Sequence, residues 1–461
     1  MTAHAPAPIA KPKPRRSDAE FRSVGRDELQ SIPGRKGLPF LGILPEAVRD
    51  PFAFSRSMYE RYGPIHRFYA CGNWNVQLVG PEANEFVLFD RAGNFSAYGG
   101  WEPVFGRHFD GGLLLRDGED HQWHRKLIAT AFKQDQLQSY LGAFAKNIGE
   151  LCPRARCDLE AYEFAQQLTF ANGYSAFLGR NSKLATRNDL LAFRYMMRSA
   201  TAVLPWALPG TAHARANWAK SHIASLLAPL FEETPGGERT DLAAALVRMH
   251  NDGLLTKQEV LAHLTFTIAA SFDALSSGTV STLYYLAGHR EWQARVRAEL
   301  LARIPSAADI AIAELQSCST SDWAVKEALR LNAAAPVLWR RAVRDVEFAG
   351  HLLPAGTVTG VNPMLTHLLP EIWKEPSTFN PDRFAPEPSS LRHRFAYVPF
   401  GGGAHMCLGL HFAYMQAKCF ARHFLQNLEV SLEPGYKPDW QMWPIPKPRD
   451  GLRVVVRRCE F

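Results

Sequence analysis

One stretch constrains the architecture more than any other. Thr256-Lys257-Gln258-Glu259 has the capping-box pattern, in which the Thr hydroxyl and the Glu carboxylate satisfy each other's orphan backbone donors, so a helix is predicted to start there. From that cap the chain runs to about His289 without a proline, giving a rod on the order of 50 Å at ~1.5 Å per residue. A rod of that length crosses a whole domain, and the rest of the fold has to be built around it. Its apolar part, Leu261 to Leu286, is interrupted by His263, Ser271, Asp273, Ser276 and Ser277, which a lipid-spanning helix rarely carries. The stretch is therefore expected to be a central core helix and not a membrane span.

Length alone, 461 residues, would allow two or three domains, because single cores usually stop growing near ~250–300 residues. The chain shows no internal repeat and no linker-like composition, and its 46% apolar and 21% charged residues are ordinary for a globular core. Residues 1–35 are polar and punctuated by proline, so they are expected to form a tail, with one domain over 36–461 beginning near Gly37-Leu38-Pro39. Pro64–Phe68 and Val76–Val79 read as a β-hairpin turning at Cys71-Gly72-Asn73. Further strand signals occur at Val346–Phe348 and Thr357–Val361, separated by Pro354-Ala355-Gly356, and at Leu452–Val456. Helical segments greatly outnumber these, so the predicted class is mainly α with small β-sheets.

The net charge of +7 and pI near 9.0 permit an anionic partner. A nucleic-acid reader would carry a dense basic stripe interleaved with aromatics, whereas here Lys and Arg are scattered among acids, so no nucleic acid is expected. The seven cysteines are odd in number and lack CxxC spacing, which fits neither a disulfide framework nor a zinc ribbon. The first sixteen residues are rich in Ala, Pro, Lys and Arg without an apolar run, so neither an export signal nor a membrane anchor is expected, and a reducing cytoplasm is the expected compartment.

The chemistry concentrates in Pro399-Phe400-Gly401-Gly402-Gly403-Ala404-His405-Met406-Cys407-Leu408-Gly409, followed by a helical run from Leu410 to Phe424. Glycines let a backbone approach a flat group closely, and a helix N-terminus just after Cys407 offers amides and a positive dipole end to a thiolate. A lone cysteine is usually a small buried hydrophobe. This frame is built to hold an anionic sulfur instead. It resembles the cysteine-ligand loop of the cytochrome P-450 family, Phe-Gly-x-Gly-x-(Arg or His)-x-Cys-x-Gly, at every fixed position. The resemblance implies the fold of that family, with the long helix over the haem, haem b (iron protoporphyrin IX) as cofactor, Cys407 as the iron ligand and Phe400 beside the cofactor.

Other segments fall in the order of the same family. His121 and Arg125, at i and i+4, match the helix that binds the haem propionates, and Arg340 and His405 match two further propionate ligands. Glu327 and Arg330 match the Glu-x-x-Arg pair, which the family closes with an arginine downstream, here Arg383 in Asn380-Pro381-Asp382-Arg383-Phe384. Such a cluster is structural: desolvated and fully paired, it locks the segment leading to the cysteine loop. Leu208-Pro209-Gly210-Thr211 and the spacing of the C-terminal third resemble the sterol-demethylase and retinoid-hydroxylase branches, of soluble bacterial type.

One position departs from the pattern. Where the family usually has Ala-Gly-x-(Asp or Glu)-Thr, this chain has Ala270-Ser271-Phe272-Asp273-Ala274. The proton-handling acid remains as Asp273, but Ala274 takes the place of the alcohol. A substrate hydroxyl, a water or a neighbouring serine, Ser271 or Ser277, replaces the missing group, or the reaction needs little proton delivery. The resemblance thus implies a monooxygenase inserting one oxygen atom of O2 into a lipophilic substrate such as an isoprenoid, steroid or fatty acyl compound. A peroxygenase, an oxidative coupling or rearrangement enzyme, and a haem-based sensor or carrier stay open beside it. By family position the pocket is expected to use Tyr98, Trp101, Phe105, Phe266, Ala270, Val337 and Trp443. Electrons are expected from a ferredoxin or flavodoxin-type donor with its reductase, docking on a basic surface of Lys418, Arg422, Arg449, Arg457 and Arg458.

Overall fold

The capping box at Thr256 forms: its hydroxyl accepts the Glu259 N–H at 3.2 Å, and Glu259 accepts the Thr256 N–H at 2.9 Å. The computed structural model describes all residues except 1–10, 13–21, 71, 154, 203–205, 233–238, 308 and 460–461. Nine helices matter for the site: α1 (Pro81–Leu88), α2 (Ala97–Phe109), α3 (Gly118–Ala129), α4 (Ala161–Leu178), α5 (Arg187–Ser199), α6 (Ala212–Leu227), α7 (Lys257–Gly288), α8 (Ser319–Leu331) and α9 (Leu410–Asn427). The long predicted rod is α7, which packs along α4 and α8. Several of its polar residues are absorbed by hydrogen bonds inside the core. Ser276 Oγ meets Thr169 Oγ1 of α4 at 2.7 Å, and Ser281 Oγ accepts from Asn332 Nδ2 at 3.1 Å. Satisfied in this way, these two serines are buried without the cost of orphaned hydroxyls. Among the described residues α7 is the one helix long and apolar enough to cross a membrane, and half of its apolar window is buried inside the fold.

A pair of imidazoles ties α3 to α7. His263 Nε2 and His124 Nδ1 lie 2.9 Å apart, both rings fully buried. This contact holds the helix that carries His121 and Arg125 against the central rod.

The main sheet has the order β1 (Gly34–Arg35), β2 (Ile65–Ala70), β3 (Asn73–Leu78), β9 (Val358–Val361), β6 (Leu338–Ala342), β4 (Phe95–Ser96). β2 and β3 form the predicted antiparallel hairpin, registered from Ile65↔Leu78 to Ala70↔Asn73. Cys71, in its turn, lies outside the described residues. The two later strand signals form, but do not pair with each other. Val346–Phe348 (β7) turns through Ala349-Gly350, both at positive φ, onto His351–Leu353 (β8), while β9 joins β3 and β6. A small sheet of Leu428–Ser431 (β10), Arg453–Arg458 (β13) and Cys157–Glu160 (β5), and a hairpin of Trp440–Gln441 (β11) with Lys447–Pro448 (β12), complete the strands.

The expected start of the fold near Gly37 moves back. Val24, Leu29 and Ile32 are buried with Val76, Leu78 and Val361, and β1 pairs with β2. The residues before Gly37 are polar on average, but these three apolar side chains reach the core together.

Candidate active site

The cysteine loop is drawn tight by its own backbone. The Cys407 N–H donates to the Phe400 carbonyl at 3.0 Å and the Met406 N–H to that of Gly403 at 3.1 Å, just ahead of α9. Cys407 is the exposed cysteine of the described set, the rest being half-buried or buried. Its thiol nevertheless lies deep in the fold. Burial pushes its pKa up, against the Gly409 N–H that it accepts and the nearby Arg125 guanidinium. A bound metal cation would resolve that balance, since coordination deprotonates a thiol outright. The glycines serve a different purpose from the one expected. A Cβ on Gly403, where φ is +63°, would sit 1.9 Å from the Leu88 carbonyl oxygen, and one on Gly402 2.4 Å from the Phe89 ring. These two are bare because the loop packs on the end of α1.

Four cationic residues expected at the propionates converge on the loop. The His121 ring stacks on His405 at 3.9 Å, and His405 Nε2 lies 3.4 Å from Asp117 Oδ1. Arg125 follows one turn after His121 on α3, and Arg340 is buried on β6, its Nη1 donating to the Trp339 carbonyl at 2.8 Å. Burial, then the charges of His405 and Arg125, push His121 down to about 3. The acid in their midst is Asp117, which sequence reading missed. It also accepts from Ser96 Oγ and from the Ala97 and Tyr98 N–H groups, fixing the start of α2. The cluster is short of negative charge, and a flat group bearing two carboxylates, such as haem b, fits it.

On α7, which His263 ties to α3, Phe266, Ala270 and Ala274 stay partly accessible at four-residue spacing, although their neighbours Ala269, Phe272, Asp273, Ser276 and Ser277 are buried. Asp273 accepts the Tyr162 hydroxyl, with Lys447 and Arg198 nearby, and burial raises its pKa against those influences. A polar chain leads outward from it. Gln166 Nε2 donates to the Tyr162 hydroxyl at 3.2 Å, and Arg194 donates to Gln166 and, at 2.6 Å, to half-exposed Glu163. The two serines considered beside Ala274 differ. Ser271 Oγ donates to the Ile268 carbonyl at 3.0 Å, whereas Ser277 Oγ is buried with no partner among the described residues.

The expected pocket aromatics form a ladder: Trp101 to Phe105 at 5.5 Å, Phe105 to Phe109 at 5.7 Å, and Phe109 to Phe266 of α7 at 6.0 Å. Phe109, which links them, was not among the expected residues. Tyr98 is buried at the start of α2 and Val337 just before β6, while Trp443 sits at the tip of the β11–β12 hairpin.

Behind the loop, Glu327 accepts Arg330 through Nε at 2.7 Å and Nη2 at 2.8 Å, Arg383 Nε at 3.2 Å and the Asn380 N–H at 3.0 Å. Two neighbours had no sequence signal. Arg392 stacks 4.1 Å from the Trp373 ring, and His367 accepts the Val398 N–H at 3.0 Å, two residues before Phe400. That bond requires a neutral ring. Burial first, then the Arg330 charge, pushes His367 down to about 3, and burial with His124 does the same to His263. Both return to ordinary values near 6.5 on unfolding, so their contribution is complete above that pH and is lost as pH falls toward 3. The thermal midpoint should therefore fall between pH 7 and pH 5, and His263→Phe should flatten the slope. An unchanged slope would show that His263 protonation is not what acid acts on.

The expected basic surface does not exist as drawn. Lys418 is buried, donating to the Leu315 and Cys318 carbonyls, and Arg422 is buried, donating to those of Ile304 and Pro305. Arg449 pairs with Asp439, and Arg457 lies opposite Glu429 in the β10–β13 ladder. What lies beside the cysteine loop is a groove of about 620 Å³ whose walls include Lys326, Arg394, Phe400, Met406 and His411.

An accessible cysteine before a helix and a cluster of cations short of anions, two of them on a helix tied to the long central rod, are what a haem-thiolate protein needs. The chain belongs to the cytochrome P450 family, whose model matches residues 32–449. It is 30% identical over 443 residues to cytochrome P450 136 of Mycobacterium tuberculosis, covering 93% of this chain and 89% of that one. It is 27% identical over 434 residues to cytochrome P450 120 of Synechocystis, covering 92% and 96%. The structure of retinoic acid-bound cyanobacterial CYP120A1 superposes with a TM-score of 0.85 at 26% identity, covering 93% of this chain and 99% of that one. The protein is accordingly a haem-dependent monooxygenase, an oxidoreductase, similar in shape to a relative that binds retinoic acid.

Proposed function

We propose that this chain inserts one atom of O2 into a C–H bond of a lipophilic, isoprenoid-like substrate, using electrons from a separate ferredoxin or flavodoxin-type protein. The observation that carries the reading is Cys407, accessible and just ahead of α9, with His121, Arg125, Arg340 and His405 gathered around a single acid, Asp117. Bound haem supplies the dioxygen chemistry, with thiolate donation favouring O–O cleavage. His121, Arg125, Arg340 and His405 hold its carboxylates. The aromatic ladder from Trp101 to Phe266 excludes water and receives an apolar body, in keeping with the retinoic acid held by the structural neighbour. The electron donor docks at the groove beside the cysteine loop, with Arg394 as its cation. Turnover with a reductase system, compared with peroxide and with neither, tests the reading: the reductase system should support product and small charged metabolites should leave the haem spectrum unchanged. Product from peroxide alone would favour the peroxygenase alternative.

Proton supply is assigned to two groups. Asp273 accepts the Tyr162 hydroxyl and relays protons through it, and the unpartnered Ser277 hydroxyl stands in for the alcohol absent at Ala274 by holding a water one turn along the helix. Ser277→Ala should then cut the yield of product per electron several-fold, while Ala274→Thr should change it little. Improved coupling in Ala274→Thr together with no loss in Ser277→Ala would overturn this assignment.

A further inference from the structure

We propose that Lys447 binds a carboxylate at the polar end of the substrate, which makes the substrate class apolar acids. The inference rests on the lipophilic reading above and adds the recognised group to it. Lys447 stands at the base of the β11–β12 hairpin, opposite Gln441, and the tip between them is Met442, Trp443, Pro444, Ile445 and Pro446, without a charge. Trp440 packs on Tyr284 of α7 at 5.7 Å, which fixes the hairpin along the central helix. The Lys447 side chain is half-buried beside Asp273. Yet among the described residues it makes no hydrogen bond and no ion pair.

The charges around it do not balance. Asp273 from α7, Arg194 and Arg198 from α5, and Lys447 from β12 share one field, with the Tyr162 hydroxyl of α4 on Asp273. Arg194 is taken by Glu163 at 2.6 Å. One carboxylate, Asp273, is left for Lys447 and Arg198, and it touches neither. An amine taken out of water without a partner is costly, and burial correspondingly pulls the Lys447 pKa down. One spare positive charge beside an apolar tip suits a monoanion on an apolar body. A strongly hydrated dianion would lose more water there than one amine returns.

The test uses the purified holoenzyme with dodecanoic, farnesoic and abietic acids, each against its methyl ester. Binding is read by the haem absorption shift and independently by the thermal midpoint. The acids should bind about tenfold or more tighter than their esters. Lys447→Met should bring the acids down to the affinity of the esters and leave the esters unchanged, while Lys447→Arg should keep the preference. Lys447→Gln, neutral but polar, serves if the Met variant does not fold. Equal affinities in the wild type, failure of the acids to bind, or a preference that survives neutralisation would each overturn the proposal. The reduced carbon-monoxide spectrum of the same samples separates the two levels: a thiolate spectrum without acid preference defeats this inference alone, and its absence defeats the functional reading beneath it.

Discussion

Glu327→Ala is expected to cost the protein a large part of its folding stability. Glu327 and Arg330 are both fully buried, and the carboxylate receives Arg330, Arg383 and the Asn380 N–H at once. Removing it leaves a buried guanidinium whose remaining partners are the His367 and Thr378 carbonyls, facing a second cation across a cavity. Breaking a buried pair from one side costs ~3–5 kcal/mol, a large part of the ~5–15 kcal/mol that holds a typical protein folded. Glu327→Gln keeps the shape and loses only the charge, so it should fall between. The exposed pair Arg56–Glu60, at i and i+4, is the control, and Glu60→Ala should cost under ~1 kcal/mol. Denaturant unfolding measures all three. If Glu327→Ala costs no more than Glu60→Ala, the cluster is not the lock behind the cysteine loop.

Cys407→Ala should have the opposite profile, a folded chain without activity. Cys407 is accessible as a residue and its thiol accepts its hydrogen bond from the Gly409 N–H of its own loop, so little packing is lost with it. Cys419, fully buried on α9, is the contrasting case in which removing sulfur opens a cavity. With the thiolate gone, reductase-supported product should fall below detection while the thermal midpoint of haem-free protein moves by only a few degrees. Turnover retained in Cys407→Ala would place the reacting centre elsewhere.

The parts of this molecule legible in its sequence are those set by local signals. The α7 cap is a four-residue exchange of hydrogen bonds, the β2–β3 hairpin alternates around a turn, and the cysteine loop is one continuous segment. What was hidden depends on partners distant in the chain. β6, Leu-Trp-Arg-Arg-Ala, does not alternate because Arg340 and Arg341 are both buried, one of them among the cations of the site. Lys418 and Arg422, four apart on α9, look like a solvated face. They are internal because carbonyls at Ile304, Pro305, Leu315 and Cys318 need donors. Asp117 and His367 belong to no motif, and nothing short of the assembled fold shows that one collects the cations and the other holds the Val398 amide.

The central claim, that Cys407 binds the haem iron as a thiolate, is tested most directly by the absorption spectrum of the reduced carbon-monoxide adduct. The account predicts the red-shifted band that a thiolate ligand to the iron would produce, and its loss in Cys407→His. A wild-type band without that shift, or an unchanged band in Cys407→His, would contradict it.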